Sequence, residues 1–281
     1  MVKVDNLIKN YGDFRLNVSL EIPDGTVTGI VGKNGAGKST TIKAILGLIR
    51  PDGGSVTING KEASKLTGDE KASLGVALSD SGFSTYLCIE DVIAILRKMY
   101  PTFDESFFRK NCESQRLSFH KKIKDFSTGM RAKLRVLVAI SHKADLLIMD
   151  EPTAGLDVEA RNEILDLLRQ YLLEHEQCSI LITSHISTDL EGLCDDIYLI
   201  HDGKIILHED TDTILSNYAI LKVDENTYRQ IDKNYLLSTK RDSFGYTCFT
   251  SEKQYYAENY PGIVIENGNI DDLILMMTGG K

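Results

Sequence analysis

Apolar and polar residues alternate through the first 26 positions, with Val2, Val4 and Leu7 and then Leu16, Val18, Leu20 and Ile22 on the apolar side. That two-residue period predicts half-buried antiparallel strands, broken at Tyr11-Gly12-Asp13. A β-branched run at 27–31 reads as a buried strand, and a helical spacing covers 41–49. Pro51-Asp52-Gly53-Gly54 reads as a turn, 55–58 as a short strand and Asn59-Gly60 as a hairpin turn. Residues 88–120 are mostly helical in spacing, with Pro101 dividing them. Residues 128–141 form a second helical pattern, with Met130, Leu134, Leu137 and Val138 on one face and Ser127 placed to cap it. Two continuous apolar runs, 146–149 and 179–183, flank an amphipathic stretch at 158–174, and this strand–helix–strand alternation implies a parallel sheet. A last hairpin spans 198–201 and 204–207 around Asp202-Gly203. Beyond about residue 210 aromatic residues concentrate, and the tail is expected to be a separate small α+β unit.

Between the first buried strand and its helix stands Gly32-Lys33-Asn34-Gly35-Ala36-Gly37-Lys38-Ser39, followed by Thr40. G-x-x-x-x-G-K-S between a strand and a helix is a phosphate loop. Gly35 and Gly37 let backbone N–H groups turn inward around phosphates, Lys38 reaches the β and γ oxygens, and the Ser39 hydroxyl can ligate Mg²⁺. The helix N-terminus adds its partial positive charge. The run at 146–149 ends in Asp150-Glu151, at the carboxyl end of a buried strand, where nucleotide sites lie. Asp150 would hold Mg²⁺, directly or through water, and Glu151 would orient and polarise the attacking water as general base. Ser184-His185 leaves the next strand on the same edge, where the His185 ring can hydrogen-bond a γ-phosphate. His120, His142, His175, His201 and His208 show no ligand spacing and are assigned to surface or turn positions. Phe126-Ser127-Thr128-Gly129-Met130 opens the 128–141 helix with a hydroxyl and free N–H groups. Such an end receives a phosphate or serves only as an N-cap.

Composition narrows the field. The 281 residues suffice for one large α/β domain and a small one. A net charge of −9 argues against a dedicated nucleic-acid binder, whose footprint is a basic surface. One basic stretch, Lys121, Lys122, Lys124, Arg131, Lys133 and Arg135, faces either anionic phosphate or lipid or, as charge runs usually do, plain solvent. The five cysteines form no C-x-x-C pair and are odd in number, which points to reduced thiols rather than a zinc site or disulfide framework. The start of the chain does not read as a signal peptide, and no apolar stretch approaches the ~20 residues that span a bilayer. Any membrane role is expected to be peripheral.

With these motifs in this order, residues 1 to about 208 resemble the ATP-binding subunits of ABC transporters. The resemblance implies an α/β, P-loop NTPase core of the ABC-type ATPase kind, filling residues 1–208. Its mixed sheet with helices would carry an antiparallel N-terminal β subdomain and a helical subdomain at about 85–142. A small C-terminal α+β accessory domain would fill 209–281. Gly32 to Ser39 matches the family's Walker A loop, the strand ending at Asp150 its Walker B segment, and Glu151 its catalytic glutamate. Ser127, Thr128, Gly129 and Met130 look like the signature sequence, Asp157 like the D-loop aspartate and His185 like the switch histidine. Tyr11 stands where the family stacks an aromatic ring on adenine. The signature departs from Leu-Ser-Gly-Gly-Gln, with Thr128 and Met130 in its third and fifth places while Ser127 and Gly129 remain. The family's Q-loop glutamine, which senses Mg²⁺ and couples to the membrane partner, has no counterpart in Leu78-Ser79-Asp80-Ser81-Gly82-Phe83. Asp80 or Ser79 can contact the metal in its place. The substituted Q-loop, the shortened helical segment and the tail together are similar to the bacterial antibiotic and peptide exporter branch, including bacitracin-type efflux ATPases.

The resemblance further implies ATP and Mg²⁺ as ligands and a head-to-tail pair of such subunits, expected to be a homodimer. ATP would lie between Lys38 of one copy and Ser127 of the other. A separately encoded membrane permease would complete the transporter, with this chain cytoplasmic and peripheral on the inner face of the membrane. No nucleic acid is expected. Two other readings compete: a soluble ABC-type ATPase acting on ribosomes or DNA, and a low-turnover nucleotide sensor with the tail as its regulatory module. Against the first, the chain has one cassette and no long coiled-coil or zinc insertion before Ser127. Against the second stands the complete Asp150, Glu151 and His185 set.

Overall fold

A computed structural model describes residues 1–79, 82–243 and 245–279. The alternating N-terminal segment forms β1 (Val2–Tyr11) and β2 (Phe14–Ile22), antiparallel, with Val2 opposite Ile22, Val4 opposite Leu20 and Leu7 opposite Val18. Tyr11 closes β1 instead of lying in the turn, because it still pairs with Phe14 across Gly12-Asp13. Then come the fully buried β3 (Val27–Val31) and α1 (Lys38–Ile45). The helix ends four residues short of the predicted 41–49 pattern. Gly47 adopts φ +66° and its N–H returns to the Ala44 carbonyl, a left-handed helix terminus. Next are β4 (Gly53–Ile58) and β5 (Lys61–Glu62), joined by Asn59 and Gly60 at φ +50° and +78°, the both-positive geometry of a two-residue hairpin. Neither α2 (Gly68–Ala72), started by a Thr67/Glu70 capping box, nor β6 (Leu74–Ala77), a four-residue edge strand, shows a period in the sequence.

The middle of the chain supplies α3 (Ile89–Met99), α4 (Glu105–Ser114) and α5 (Thr128–Ile140), which pack around Phe108, Leu96, Ile123 and Leu137. Then follow β7 (Leu146–Asp150), α6 (Val158–Glu174), β8 (Ser179–Thr183), α7 (Ser187–Glu191), β9 (Asp196–His201) and β10 (Lys204–Asp210). The tail holds α8 (Thr211–Asn217), β11 (Ala219–Val223), α9 (Glu225–Gln230), β12 (Leu236–Asp242), β13 (Gly245–Thr250), α10 (Lys253–Asn259), β14 (Val264–Asn267) and α11 (Ile270–Thr278).

Among the described residues the strands make two sheets. The large one runs β5-β4-β1-β2-β10-β9-β3-β8-β7-β6. Its antiparallel end is β5 to β2, and β9, β3, β8, β7 and β6 are parallel neighbours. Side chains of β7 and β8 alternate between faces: Ile148 and Leu181 meet Ile42 and Ile45 of α1, while Leu147, Met149, Ile180 and Ile182 meet α5 and α6. The carboxyl ends of β3, β8, β7 and β6 therefore share one edge, and the loops leaving them hold the chemistry.

The tail sheet runs β12-β13-β11-β14, all antiparallel, with α9 and α10 as crossovers, which is the split β-α-β arrangement. One face buries Ala219, Leu221, Val223 and Cys248 against Ile231 and Tyr256. The other is not self-contained. Ile220 and Phe249, with Ile270, Leu273 and Met276 of α11, belong to the same apolar cluster as Leu190 and Ile214. The expected separate unit thus has its own sheet but shares a core with the rest of the chain, and the boundary expected at 208 falls inside β10.

His142 also departs from expectation. It is 1% exposed, stacks on Tyr100, and has Nδ1 3.2 Å from the Val138 carbonyl and Nε2 3.2 Å from that of Leu74. Only one of those nitrogens carries a hydrogen in the neutral ring. Burial holds its pKa below the ordinary value.

Candidate functional site

The loop between β3 and α1 is shaped by close packing. A Cβ on Gly32 would lie 2.2 Å from the Ile200 carbonyl oxygen, and one on Gly37 would lie 2.7 Å from Leu16 Cδ1; both residues have positive φ. No side chain fits at either place, so β2 and β9 press directly on the loop backbone. Gly37 is the N-cap of α1, so the first N–H groups of that helix open toward the loop. Lys38 lies 6% exposed beneath it. Its Nζ donates to the Gly32 carbonyl at 2.8 Å and stands 3.4 Å from Glu151 Oε1.

Asp150 ends β7 at 1% exposure. Its Oδ1 accepts from Ser39 Oγ at 3.1 Å and from Thr183 Oγ1 at 2.8 Å, and its Oδ2 accepts from Ser79 Oγ at 3.5 Å. Glu151 follows at φ +52°, a left-handed conformation that costs a non-glycine residue roughly 1–2 kcal/mol. Two bonds from its N–H hold it there, to the Thr183 carbonyl at 3.1 Å and to Thr183 Oγ1 at 3.0 Å. The left-handed turn directs the carboxylate sideways, so that one oxygen faces Lys38 and the other meets Nδ1 of His185. His185 itself is half exposed.

Lys38, Ser39, Asp150, Glu151 and His185, spread over more than half the chain, therefore form one contact network. Ser79 joins it, and Asp80, the alternative at that position, lies outside the described residues. Magnesium takes oxygen donors and is usually held by one or two carboxylates together with substrate phosphates. One carboxylate ringed by Ser39, Ser79 and Thr183 hydroxyls is a donor set of that kind. Thr183 carried no sequence signal beyond closing an apolar run, yet it fixes both Asp150 and the backbone of Glu151. Tyr11 is 48% exposed, opposite Phe14, whose ring atom Cζ would lie 3.3 Å from a Cβ on Gly37. The β1–β2 turn thus stands beside the phosphate loop.

Ser127, Thr128, Gly129 and Met130 are elsewhere. Ser127 caps α5, its Oγ accepting from the Met130 N–H at 3.2 Å, and it is exposed together with Thr128. Asp157 caps α6, accepting from the Ala160 N–H at 2.8 Å. Together with Gly155 and Leu156 these two caps line one open cleft. Asp189 of α7, 2% exposed, accepts from Thr153 Oγ1 at 2.5 Å and stands 3.3 Å from Arg161 Nε, and burial pushes its carboxyl pKa up. The basic stretch is only partly a solvated face. Arg135 Nη1 donates to the Leu78 and Ser79 carbonyls at 3.1 and 2.7 Å, and Lys133 pairs with Glu163. Arg135 thereby holds the backbone that delivers Ser79 to Asp150.

Comparison with known proteins bears on the fold and the family. The family model described as "ABC transporter" matches residues 16–154. A linearmycin resistance ATP-binding protein, LnrL of Bacillus subtilis (strain 168), is 29% identical over 99% of this chain and 98% of its own length. The lantibiotic transport ATP-binding protein SrtF of Streptococcus pyogenes is 32% identical over 75% of this chain and 92% of its own. The bacitracin transport ATP-binding protein BcrA of Enterococcus faecalis is 32% identical, covering 73% of this chain and 68% of that protein. Among solved structures, an ATP-binding subunit of an ABC transporter superposes with a TM-score of 0.66 at 25% identity, covering 76% of this chain and 91% of its own. A dimeric ATP-binding cassette bound to ADP and Pi superposes with a TM-score of 0.64 at 24% identity, covering 75% and 99%.

Proposed function

Since the chain belongs to the ATP-binding subunits of ABC transporters, we propose that it is the ATPase of an exporter for an antibiotic, peptide or similar compound, working as a head-to-tail homodimer beneath a separately encoded permease. The ATPase activity itself follows from the family. The carrying observation for the site is the convergence of Lys38, Ser39, Asp150, Glu151 and His185 at one sheet edge.

In this reading the α1 N-terminus and the loop N–H groups of residues 32–40 bind the phosphates, and Lys38 leaves Glu151 and the Gly32 carbonyl to meet the β and γ oxygens. Ser39, Asp150 and Ser79 would hold Mg²⁺, which would supply charge neutralisation on the phosphates. Glu151, freed from Lys38 and steered by its left-handed backbone, takes a proton from the attacking water. His185 then donates to the γ-phosphate. Tyr11 stacks on the base. Ser127 and Gly129 of a second copy close over the γ-phosphate, and Asp157 lines the seam. The exporter class rests on the relatives, which include proteins named for linearmycin resistance and for lantibiotic and bacitracin transport. The permease surface is the groove of about 600 Å³ between the Ser79 segment and α5, lined by Phe83, Thr85, Ile123 and Leu134. It adjoins the metal-facing residue Ser79, so occupancy of one side bears on the other. No helix among the described residues is long and apolar enough to cross a membrane. A peripheral place on the cytoplasmic face completes the reading.

Glu151→Gln tests it: phosphate release at saturating ATP should fall at least 100-fold while ATP binding persists, as removal of a general base requires. Unchanged steady-state turnover would remove Glu151 from the role. Affinity purification from detergent-solubilised membranes should bring down a stoichiometric permease, and recovery of a purely soluble ATPase would refute the transporter part.

A further inference from the structure

The last helix of the tail is held at both ends by the nucleotide-binding part of the chain. At its start the Ile270 N–H donates to Glu191 Oε1 at 3.1 Å, and at its end the Thr278 carbonyl accepts from Lys33 Nζ at 2.8 Å. A helix carries partial positive charge at its N-terminus and partial negative charge at its C-terminus, so a carboxylate and an ammonium placed this way are both favourable. The last turn of α11 contains no basic residue of its own; Lys33 supplies the cation from 245 positions away in sequence. Between the two latches Ile270, Leu273 and Met276 are buried in the shared core, and α11 lies against α7.

The positions of the latches matter. Lys33 is the second residue of the phosphate loop. Glu191 closes α7, the short helix that begins two residues after His185 and also carries Asp189, the acceptor for Thr153. One rigid nine-residue helix thus bridges the loop that receives phosphate and the segment that carries the switch histidine.

We propose that α11 is a positioning strut of the ATPase, with Lys33 and Glu191 as its anchoring residues, so that the C-terminal unit sets how tightly the phosphate loop holds nucleotide. The proposal rests on the reading of residues 32–40 as the nucleotide site. Coupling of this kind is reciprocal: if the strut favours the nucleotide-bound loop, nucleotide favours the seated strut by the same factor.

The test is hydrogen exchange on the full chain with and without ADP and Mg²⁺, beside ADP titrations. In the wild type ADP should slow exchange of the amides at 275–278. Lys33→Met keeps the aliphatic stem at an exposed position and removes the ammonium. It should abolish that slowing and weaken ADP about fivefold, the low end of typical couplings. Glu191→Gln, away from the phosphate loop, should shift ADP affinity in the same direction. Exchange at 275–278 that ignores ADP in the wild type, or a full ADP response in Lys33→Met, would overturn the strut. Failure of the wild type to bind ADP would instead overturn the nucleotide site on which it rests.

Discussion

The Lys38 end and the Ser127 end of the molecule are built on opposite principles. Around Lys38 almost every polar group already has a partner inside the chain: Lys38 on Gly32 and Glu151, Asp150 on Ser39 and Thr183, Glu151 on His185. Lys38 and Asp150 are buried, and burial is tolerable because each has partners. Around Ser127 there is a helix N-terminus with one internal hydrogen bond, exposed hydroxyls, and an open cleft shared with Asp157. A pre-wired site holds its own shape and exchanges internal partners for ligand. An open helix end has spare donors and nothing of its own to bind. The contrast favours the proposed two-copy arrangement, in which the open half of one chain completes the wired half of another.

Substitution at Ser127 should do the most damage. Placing a carboxylate there, Ser127→Glu, sets negative charge against the γ-phosphate and removes a charge-assisted hydrogen bond of about 1.5–3 kcal/mol. Turnover should fall roughly 10- to 100-fold, while ADP affinity of the isolated chain stays at the wild-type value, since the wired half is untouched. A matching loss of ADP affinity would place Ser127 in the same half as Lys38 and end the contrast.

A smaller effect probes what seats the open half. His142 packs between α5, the helix that Ser127 caps, and β6, with its ring nitrogens 3.2 Å from the Val138 and Leu74 carbonyls. Its pKa in the fold lies below the ordinary 6.5 because burial disfavours the imidazolium. The unfolded chain therefore binds the proton first as pH falls, and the stability of the neutral ring is present above about pH 6.5 and lost below it. Urea midpoints taken between pH 7.5 and 5.5 should fall with a slope contribution of at most about 1.4 kcal/mol per pH unit. That contribution should be missing in His142→Gln. An identical slope in the variant would assign the acid sensitivity elsewhere.

What the sequence made legible was set by range. β3, α6 and β8 match the expected spans because continuous apolar runs and a long amphipathic period are local signals. Helix α1 stopped early because the left-handed turn at Gly47 outweighed apolar residues beyond it. Strand β6 was too short to show a period, and the tail topology depends on pairings such as Leu221 with Cys248 that no window contains. In the site, the Lys-Ser and Asp-Glu pairs announced themselves by type and position. Thr183, Asp189 and Arg135 did not, since a strand-ending threonine, a helical aspartate and one arginine in a basic stretch acquire meaning only from what folding sets beside them. The same holds for Lys33, whose bond to Thr278 joins the two ends of the fold.

In the proposed assembly the two halves meet only between chains and only when nucleotide is bound. Light scattering on size-separated Glu151→Gln, which should bind ATP without turning it over, measures this directly. With ATP and Mg²⁺ twice the monomer mass is expected, and monomer mass with ADP or when Ser127→Glu is added. A monomer in ATP, or a dimer indifferent to both nucleotide and Ser127, would contradict it.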